Sequence, residues 1–518
     1  MWFVCRQSAR ITLLSILFFL LFALTSTNSA QQPEGRVVWE PAMRIPSPEE
    51  TSSWFPDLAV DREGRVHVVW CETDHLAMNY SQPGDDIDPS KFERLYYSMW
   101  DGQQWSQAND IVPSQQNIIR NAIAVDDYNV LHLLFDFSPP FGLYYKKAQA
   151  SQASSAAAWT PPRLVNSRSG TYMSDIAIFQ DTLHIVYDDR GAAEGECPGC
   201  ADIFYRRSTD RGLTWSTSVA LFPTGTGSNY AQMEIDKTGV VYLAWNEGWD
   251  RLGGRGSPRY GVYMYSADGG STWSAPTIVS YPNATNMRFA VGSDGQGGVM
   301  LVWRTASPEY PGIYYMWSTD YGESWSPPQA LPDIFAQPTT SGHGMYDMAT
   351  DSAGHIHLLV TGRLSIAQDP PGVYHLEWDG NNWSSPLVVY KGDWYPMYPH
   401  LVIDRGNQLH VTWSISESQE TDEPLQAWYA HGQSQAPAET PVPLPTPIPS
   451  PMATPLATST PTATPYPTLA PGGAALPDGL YTENDDLLRL LIGLAPVLIL
   501  ATAILAIRFG WLRRSSGR

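Results

Sequence analysis

Leu58-Ala-Val-Asp-Arg-Glu-Gly-Arg-Val-His-Val-Val-Trp70 reads as an alternating strand, a turn at Asp61–Gly64 and a second, more apolar strand. The same unit recurs around residues 123–135, 176–187, 233–245, 290–303, 348–360 and 401–413, at intervals of 53 to 65 residues. A second unit is a Trp followed six positions later by an apolar residue: Trp39/Ile45, Trp105/Ile111, Trp159/Val165, Trp215/Leu221, Trp273/Val279, Trp325/Leu331 and Trp383/Val389. Each unit therefore occurs seven times. Repetition at such a period is the mark of a radial or stacked architecture.

The order of the two units carries the topology. The first Trp unit precedes the first strand pair, and the last strand pair has no Trp unit after it. An aromatic third strand, such as Ile203-Phe-Tyr-Arg206 or Ile313-Tyr-Tyr-Met316, precedes each later Trp. Four strands in each of seven repeats predict an all-β, seven-bladed β-propeller. Its last blade, 398–430, borrows its outer strand, Val37–Ile45, from the N-terminus. Closure of this kind removes a free sheet edge.

Between the third and outer strands a turn motif repeats: Ser208-Thr-Asp210-Arg-Gly212-Leu-Thr214-Trp215 returns as Asp268, Gly270 and Trp273, and again as Asp320, Gly322 and Trp325. Shortened forms stand at Asp101–Trp105 and Asp379–Trp383. The carboxylate accepts turn amides, Gly admits positive φ and Trp packs between blades, so all three roles are structural.

These Asp-boxes resemble those of the sialidase (neuraminidase) superfamily of BNR-repeat propellers, and the resemblance covers residues 36–432. It implies an active site on the face opposite the Asp-boxes. It also implies three arginines on a substrate carboxylate, a Tyr nucleophile helped by Glu, and an Asp acid/base. Two departures are visible. Sialidases have six blades, not seven. Arg44-Ile45-Pro46 repeats their opening tripeptide, yet Ile45 belongs to an outer strand, and on the inner strand Trp54 stands where the first arginine belongs.

Loops entering the inner strands and loops leaving the second strands share one face. They bring Trp54, Arg120, Arg288, Arg304 and Arg363 to a common funnel, as candidate binding residues, with Tyr230 and Tyr346 as candidate nucleophiles. Asp188, Asp189 and Glu247 are the candidate carboxylates for paired acid–base work. Aromatic and arginine side chains suit sugar stacking and bidentate hydrogen bonding, and equally a protein hot spot. The expectation is a carbohydrate- or protein-binding funnel, with an exo-glycosidase of sialidase type, acting on acidic sugars, as the alternative.

Composition narrows the partners. A formal charge of −21 argues against nucleic acid, and 16% charged with 12% aromatic residues argues against disorder. Four cysteines are too few for a disulfide scaffold. Cys197-Pro-Gly-Cys200 has redox or zinc spacing, but zinc needs two more ligands and only Cys71 and scattered histidines are on offer. Outside the cell a local disulfide is the expectation. Gly84-Asp-Asp-Ile-Asp88 offers oxygens to calcium but reads more simply as a solvated turn, so no metal or cofactor is expected.

Both ends read as targeting segments. Residues 1–30 have the basic, apolar and small-residue order of a signal peptide. Residues 433–486 form a stalk, with 12 Pro and 8 Thr between Pro437 and Pro471. Residues 487–508 hold an uncharged run, Leu490–Ile507, about 27 Å long as a helix. A basic tail, 509–518, follows it and assigns the C-terminus to the cytoplasm. The expectation is a single-pass membrane protein with a monomeric ectodomain.

Overall fold

The computed structural model describes residues 37–441, apart from 49–50, 75–93, 113–117, 138–141, 167–170, 192–195, 252–253, 283, 307–311, 337–345, 365–368, 394–395 and 417–423. The segment read as a signal peptide (1–30), the loop 84–88, most of the segment read as a stalk and the apolar C-terminal run all lie outside the described residues. Among the described residues no helix is long and apolar enough to cross a membrane.

Seven antiparallel sheets form the blades of a propeller. Their inner strands are Thr51–Val60, Ile118–Val125, Ser174–Phe179, Ser228–Ile235, Asn286–Ser293, Tyr346–Thr350 and Met397–Asp404. Each touches the next around the axis, and the seventh touches the first, so the ring is closed. The seventh blade is completed from the N-terminus. Val38 pairs with Gln433 and Trp39 with Gly432, and a second short strand sets Met43 on Tyr429 and Arg44 on Trp428. Arg44 therefore sits on an outer strand, far from the axis.

The repeating Trp now has a physical role. In every blade it meets, edge to face, a ring on the third strand of the preceding blade: Trp39 on His375, Trp105 on Tyr429, Trp159 on Tyr97, Trp215 on Tyr145, Trp273 on Tyr205, Trp325 on Tyr263 and Trp383 on Tyr315. Such pairs contribute about 0.5–1.5 kcal/mol each beyond the area they bury. Behind them lies a polar relay. His67 donates through Nε2 to Asp61 (3.0 Å) and accepts at Nδ1 from the Tyr97 hydroxyl (2.7 Å). Asp126–His132–Tyr145 and Asp351–His357–His375 repeat it. Burial holds His67 and His132 below the usual histidine value.

The Asp-boxes fold as turns. Asp210 accepts from the Ser208 hydroxyl (2.8 Å), the Thr214 amide (2.8 Å) and the Thr214 hydroxyl (2.5 Å). Those bonds hold its carboxyl at about 2, and Asp268 and Asp320 are held likewise. At Gly270 (φ +78°) a Cβ would strike the Tyr205 hydroxyl, so only glycine admits the close approach. The amide of Tyr321, inside a box, donates to Gly297 in the turn between inner and second strands (2.9 Å), which puts both turn sets on one face. The chain leaves the ring on that same face: Asn407 Nδ2 donates to Ala436, and the Glu439 amide to Arg405.

Candidate functional site

At the opposite face the inner strands break their pleat. Register slips between Trp54 and Asp57, Asn229 and Gln232, Met287 and Ala290, and Met397 and His400. Each bulge holds one non-glycine residue in the left-handed region: Phe55 (φ 52°), Tyr230 (56°), Arg288 (61°) and Tyr398 (53°). A conformation of this kind costs about 1–3 kcal/mol and re-aims a side chain. Here four blades spend it on a single layer across the axis.

The layer is built of arginines on aromatic rings. The Arg120 guanidinium lies 3.3 Å from the centre of Phe55 and 4.5 Å from that of Tyr172, and it donates to the Tyr172 hydroxyl (2.7 Å). Arg251 donates to the same hydroxyl (3.0 Å) and lies over Trp249. Arg288 stacks on Tyr230 at 3.5 Å. Only 4% exposed, it keeps Nε and Nη1 without a hydrogen-bond partner among the described residues. Burial raises the Tyr230 phenol, but Arg288, then Arg120 and Arg251, outweigh it and bring the group below its usual value. Burial also carries Tyr346 up to about 12, against the pull of Arg304 and Arg288.

Beneath this layer lies an acidic cavity of about 340 Å³. Asp57, Asp175, Asp347 and His400 share its wall. Each Asp accepts the amide of its own successor and one from the next blade: Ile123 for Asp57, Met233 for Asp175 and Leu401 for Asp347. His400 lies 3.5 Å from Asp57 and 3.7 Å from Asp347. Glu234 reaches the same cavity among small neighbours, Ala177 and Ala349. Burial and the charges of Asp347, Asp236 and Asp175 push it well above the carboxylate range. Burial first, then like charge, carries Asp175 to about 7 and Asp347 to about 6.

The carboxylates singled out in the sequence have different surroundings. Glu247 accepts from Ser228 (2.5 Å), Trp245 (2.8 Å), Thr224 (2.8 Å) and Thr226 (2.9 Å), which saturates both oxygens. Glu72 holds the same position in the first blade, with Thr51, Ser53 and Trp70. Asp189 accepts from Asn166 and from the Arg190 amide. Asp188 lies behind Tyr172: Oδ1 takes the Tyr172 and Met173 amides, both at 2.8 Å, while Oδ2 has no hydrogen-bond partner among the described residues. Burial carries it to about 7, and burial first, then the Asp188 charge, raises Asp136 well above the carboxylate range.

Of the predicted binding residues, Arg120 and Arg288 meet at Tyr230, and Arg304 joins Arg288 in acting on Tyr346. Trp54 stands at the rim, 5.7 Å from Phe55. Arg363 pairs through its backbone with Phe335. Arg251 escapes the strand arithmetic because the second strand of its blade runs on from Val241 to Asp250. The signal was present in Trp249-Asp-Arg251, a polar–aromatic end to that strand. Cys197 and Cys200 are joined by a disulfide, and Cys71 is a buried free thiol beside Asn121.

Among curated proteins none matches this sequence. Solved structures of similar shape include a protein of unknown function from Dyadobacter fermentans, 14% identical over 78% of this chain and 100% of that one, with a TM-score of 0.47. A mutant NanB sialidase from Streptococcus pneumoniae is 14% identical over 76% and 70%, with a TM-score of 0.44. The intramolecular trans-sialidase from Ruminococcus gnavus is 12% identical over 73% and 94%, with a TM-score of 0.39. The family model described as BNR repeat-like domain matches residues 145–411, from the third strand of the second blade into the seventh. By its sequence and its Asp-boxed propeller alike, the chain belongs to the BNR repeat-like domain family.

Proposed function

We propose that the propeller captures an anionic carbohydrate at the arginine–tyrosine layer, held outward from a cell surface by the stalk. One observation carries the reading. Arg288 is a buried cation with two N–H edges unused, stacked on Tyr230 and reinforced there by Arg120 and Arg251, in a chain of net charge −21. A buried charge without a partner is costly, and a carboxylate or sulfate accepting both edges would relieve it. Tyr172, Phe55 and Tyr398 supply faces for a sugar ring. The chain leaves the propeller on the Asp-box face, opposite this layer. Glycan-array binding of the propeller to sialylated, uronate and sulfated glycans against neutral ones tests the reading. Preference for neutral glycans, or none, would overturn it.

A second reading, hydrolysis of acidic exo-glycosides, is favoured by Tyr230 itself. A phenol held below its usual value is a better nucleophile, and Asp188 near 7 is a proton donor at neutral pH. Release of a fluorophore from an aryl sialoside or glucuronide, abolished in Tyr230→Phe, separates hydrolysis from capture.

A further inference from the structure

Away from the axis, the cysteine turn meets a residue that its spacing does not announce. The long hairpin of the fourth blade, Val241–Asp250 and Arg255–Ser266, brings Asp250 beside it. Both sulfurs and a carboxylate oxygen of Asp250 lie within 4.8 Å of one another. Asp250 is fully buried. Its Oδ2 accepts from Arg190 (3.2 Å) and Arg255 (3.1 Å), while Oδ1 has no hydrogen-bond partner among the described residues. The two cysteines differ in access, Cys197 being partly exposed and Cys200 only 2% exposed. Arg190 also donates to Gly199 inside the turn (3.3 Å), and the Cys197 amide donates to Gly225.

A structural staple has no use for this arrangement. A bridge spanning a sequence separation of 3 closes a very short loop and removes little entropy from the unfolded chain. Nor does a staple need a carboxylate oxygen without a hydrogen-bond partner beside its sulfurs, since burying one costs desolvation. An accessible sulfur, a buried sulfur and a nearby proton acceptor are what thiol–disulfide exchange uses.

We propose that Cys197 and Cys200 form a thiol–disulfide exchange centre, with Asp250 moving the proton of Cys200, that acts on cysteine disulfides or thiols presented from outside. In the reducing direction the Cys197 thiol gives its proton to water, its thiolate attacks one sulfur of the partner disulfide, and the other partner sulfur leaves as a thiolate that takes a proton back from water. Asp250 takes the proton from Cys200, whose thiolate then attacks the Cys197 sulfur. The mixed disulfide breaks, its electron pair leaves with the partner sulfur that Cys197 first attacked, and that thiolate takes up the proton from Asp250. One dithiol and one disulfide become one disulfide and two thiols. Oxidation of a partner dithiol is the reverse.

The test uses the full chain equilibrated in glutathione buffers of graded redox ratio, with thiol alkylation and mass spectrometry of the 197–200 peptide. The expected result is reversible two-electron titration of the pair in the folded protein, with melting temperature unchanged. Cys200→Ser should accumulate a glutathione adduct on Cys197, a reading that leaves Asp250 untouched. Asp250→Asn should slow resolution of that adduct by at least about tenfold near neutral pH and shift its pH profile, which a merely structural residue would not do. A pair that stays oxidised in reduced glutathione until the protein unfolds overturns the proposal. So does resolution in Asp250→Asn at the wild-type rate and pH profile.

Discussion

The Arg288 guanidinium lies over the ring of Tyr230, 3.5 Å from its centre, and both residues sit in left-handed bulges of neighbouring blades. Its Nε and Nη1 are buried without a hydrogen-bond partner among the described residues, so an anion must displace the covering side chains to reach them. Arg288→Ala should lower affinity for an anionic glycan by about 10- to 100-fold, the loss of a charge-assisted hydrogen bond at roughly 1.5–3 kcal/mol. Arg288→Lys should fail to restore it, since a point charge does not reproduce the planar fork. Isothermal titration with thermal unfolding of each variant measures both. Unchanged affinity in Arg288→Ala would remove this arginine from the site.

Asp-box residues should behave in the opposite way. Asp210→Ala and Asp268→Ala are expected to lower the melting temperature and leave glycan affinity within a factor of two or so. Their carboxyls are held near 2 by turn hydrogen bonds. A depressed carboxyl stabilises the fold above its unfolded value, and that contribution fades as pH falls toward 2. The difference in melting temperature between wild type and Asp210→Ala should therefore narrow below pH 4. A difference that widens there would contradict the hydrogen-bond account.

The cavity carboxylates carry the reverse sign. Asp175 near 7, Asp347 near 6 and the still higher Glu234 are easier to protonate folded than unfolded. They cost stability at high pH, and the cost shrinks as pH falls from about 8 toward 4. Glu234→Gln should raise the melting temperature by a few degrees at pH 8 and by less at pH 5. Paired comparison with wild type cancels the buried histidines, which work in the other direction. An equal gain at both pH values would show that the repulsion is not electrostatic.

How far the sequence carries depends on whether a feature repeats. Trp215, Trp273 and Trp325 recur because every blade needs a ring to lay against its neighbour, so seven blades and the closing strand were countable. Strand order alone assigns Tyr230 and Arg288 to the face opposite the Asp-boxes. Their convergence rests on bulges with no residue signature: Phe and Tyr seldom adopt positive φ, and nothing in Ser228-Asn-Tyr230 announces it. Glu247 looked free for chemistry because Thr224 and Thr226, which saturate it, stand on the preceding loop. Asp250 was silent for the same reason: its neighbours Cys197 and Cys200 are fifty residues away along the chain and one blade away in space.

Removing residues 31–50 should leave the seventh blade with three strands, since Val38–Trp39 and Met43–Arg44 are its outer edge. Ile45 and Val37, both buried, would go with them. Limited proteolysis of a chain starting at Ser53 should cut between the first and seventh blades under conditions in which the intact protein survives. Wild-type resistance in the shortened chain would show that the ring closes without its N-terminal strand.

The pairing of Val38 with Gln433 also bears on time. The two partners leave the ribosome about 400 residues apart, which at about 5–20 residues per second is roughly 20–80 s. Throughout synthesis the Val38 segment has no sheet to join, and the first six blades can assemble in order while it waits. Ring closure is thus the last and least local step, and the step most exposed to a wrong partner. A second nascent chain offering its own Leu425–Gln433 edge would serve equally well. Crowded synthesis should therefore yield strand-exchanged dimers, and dilution during synthesis should suppress them.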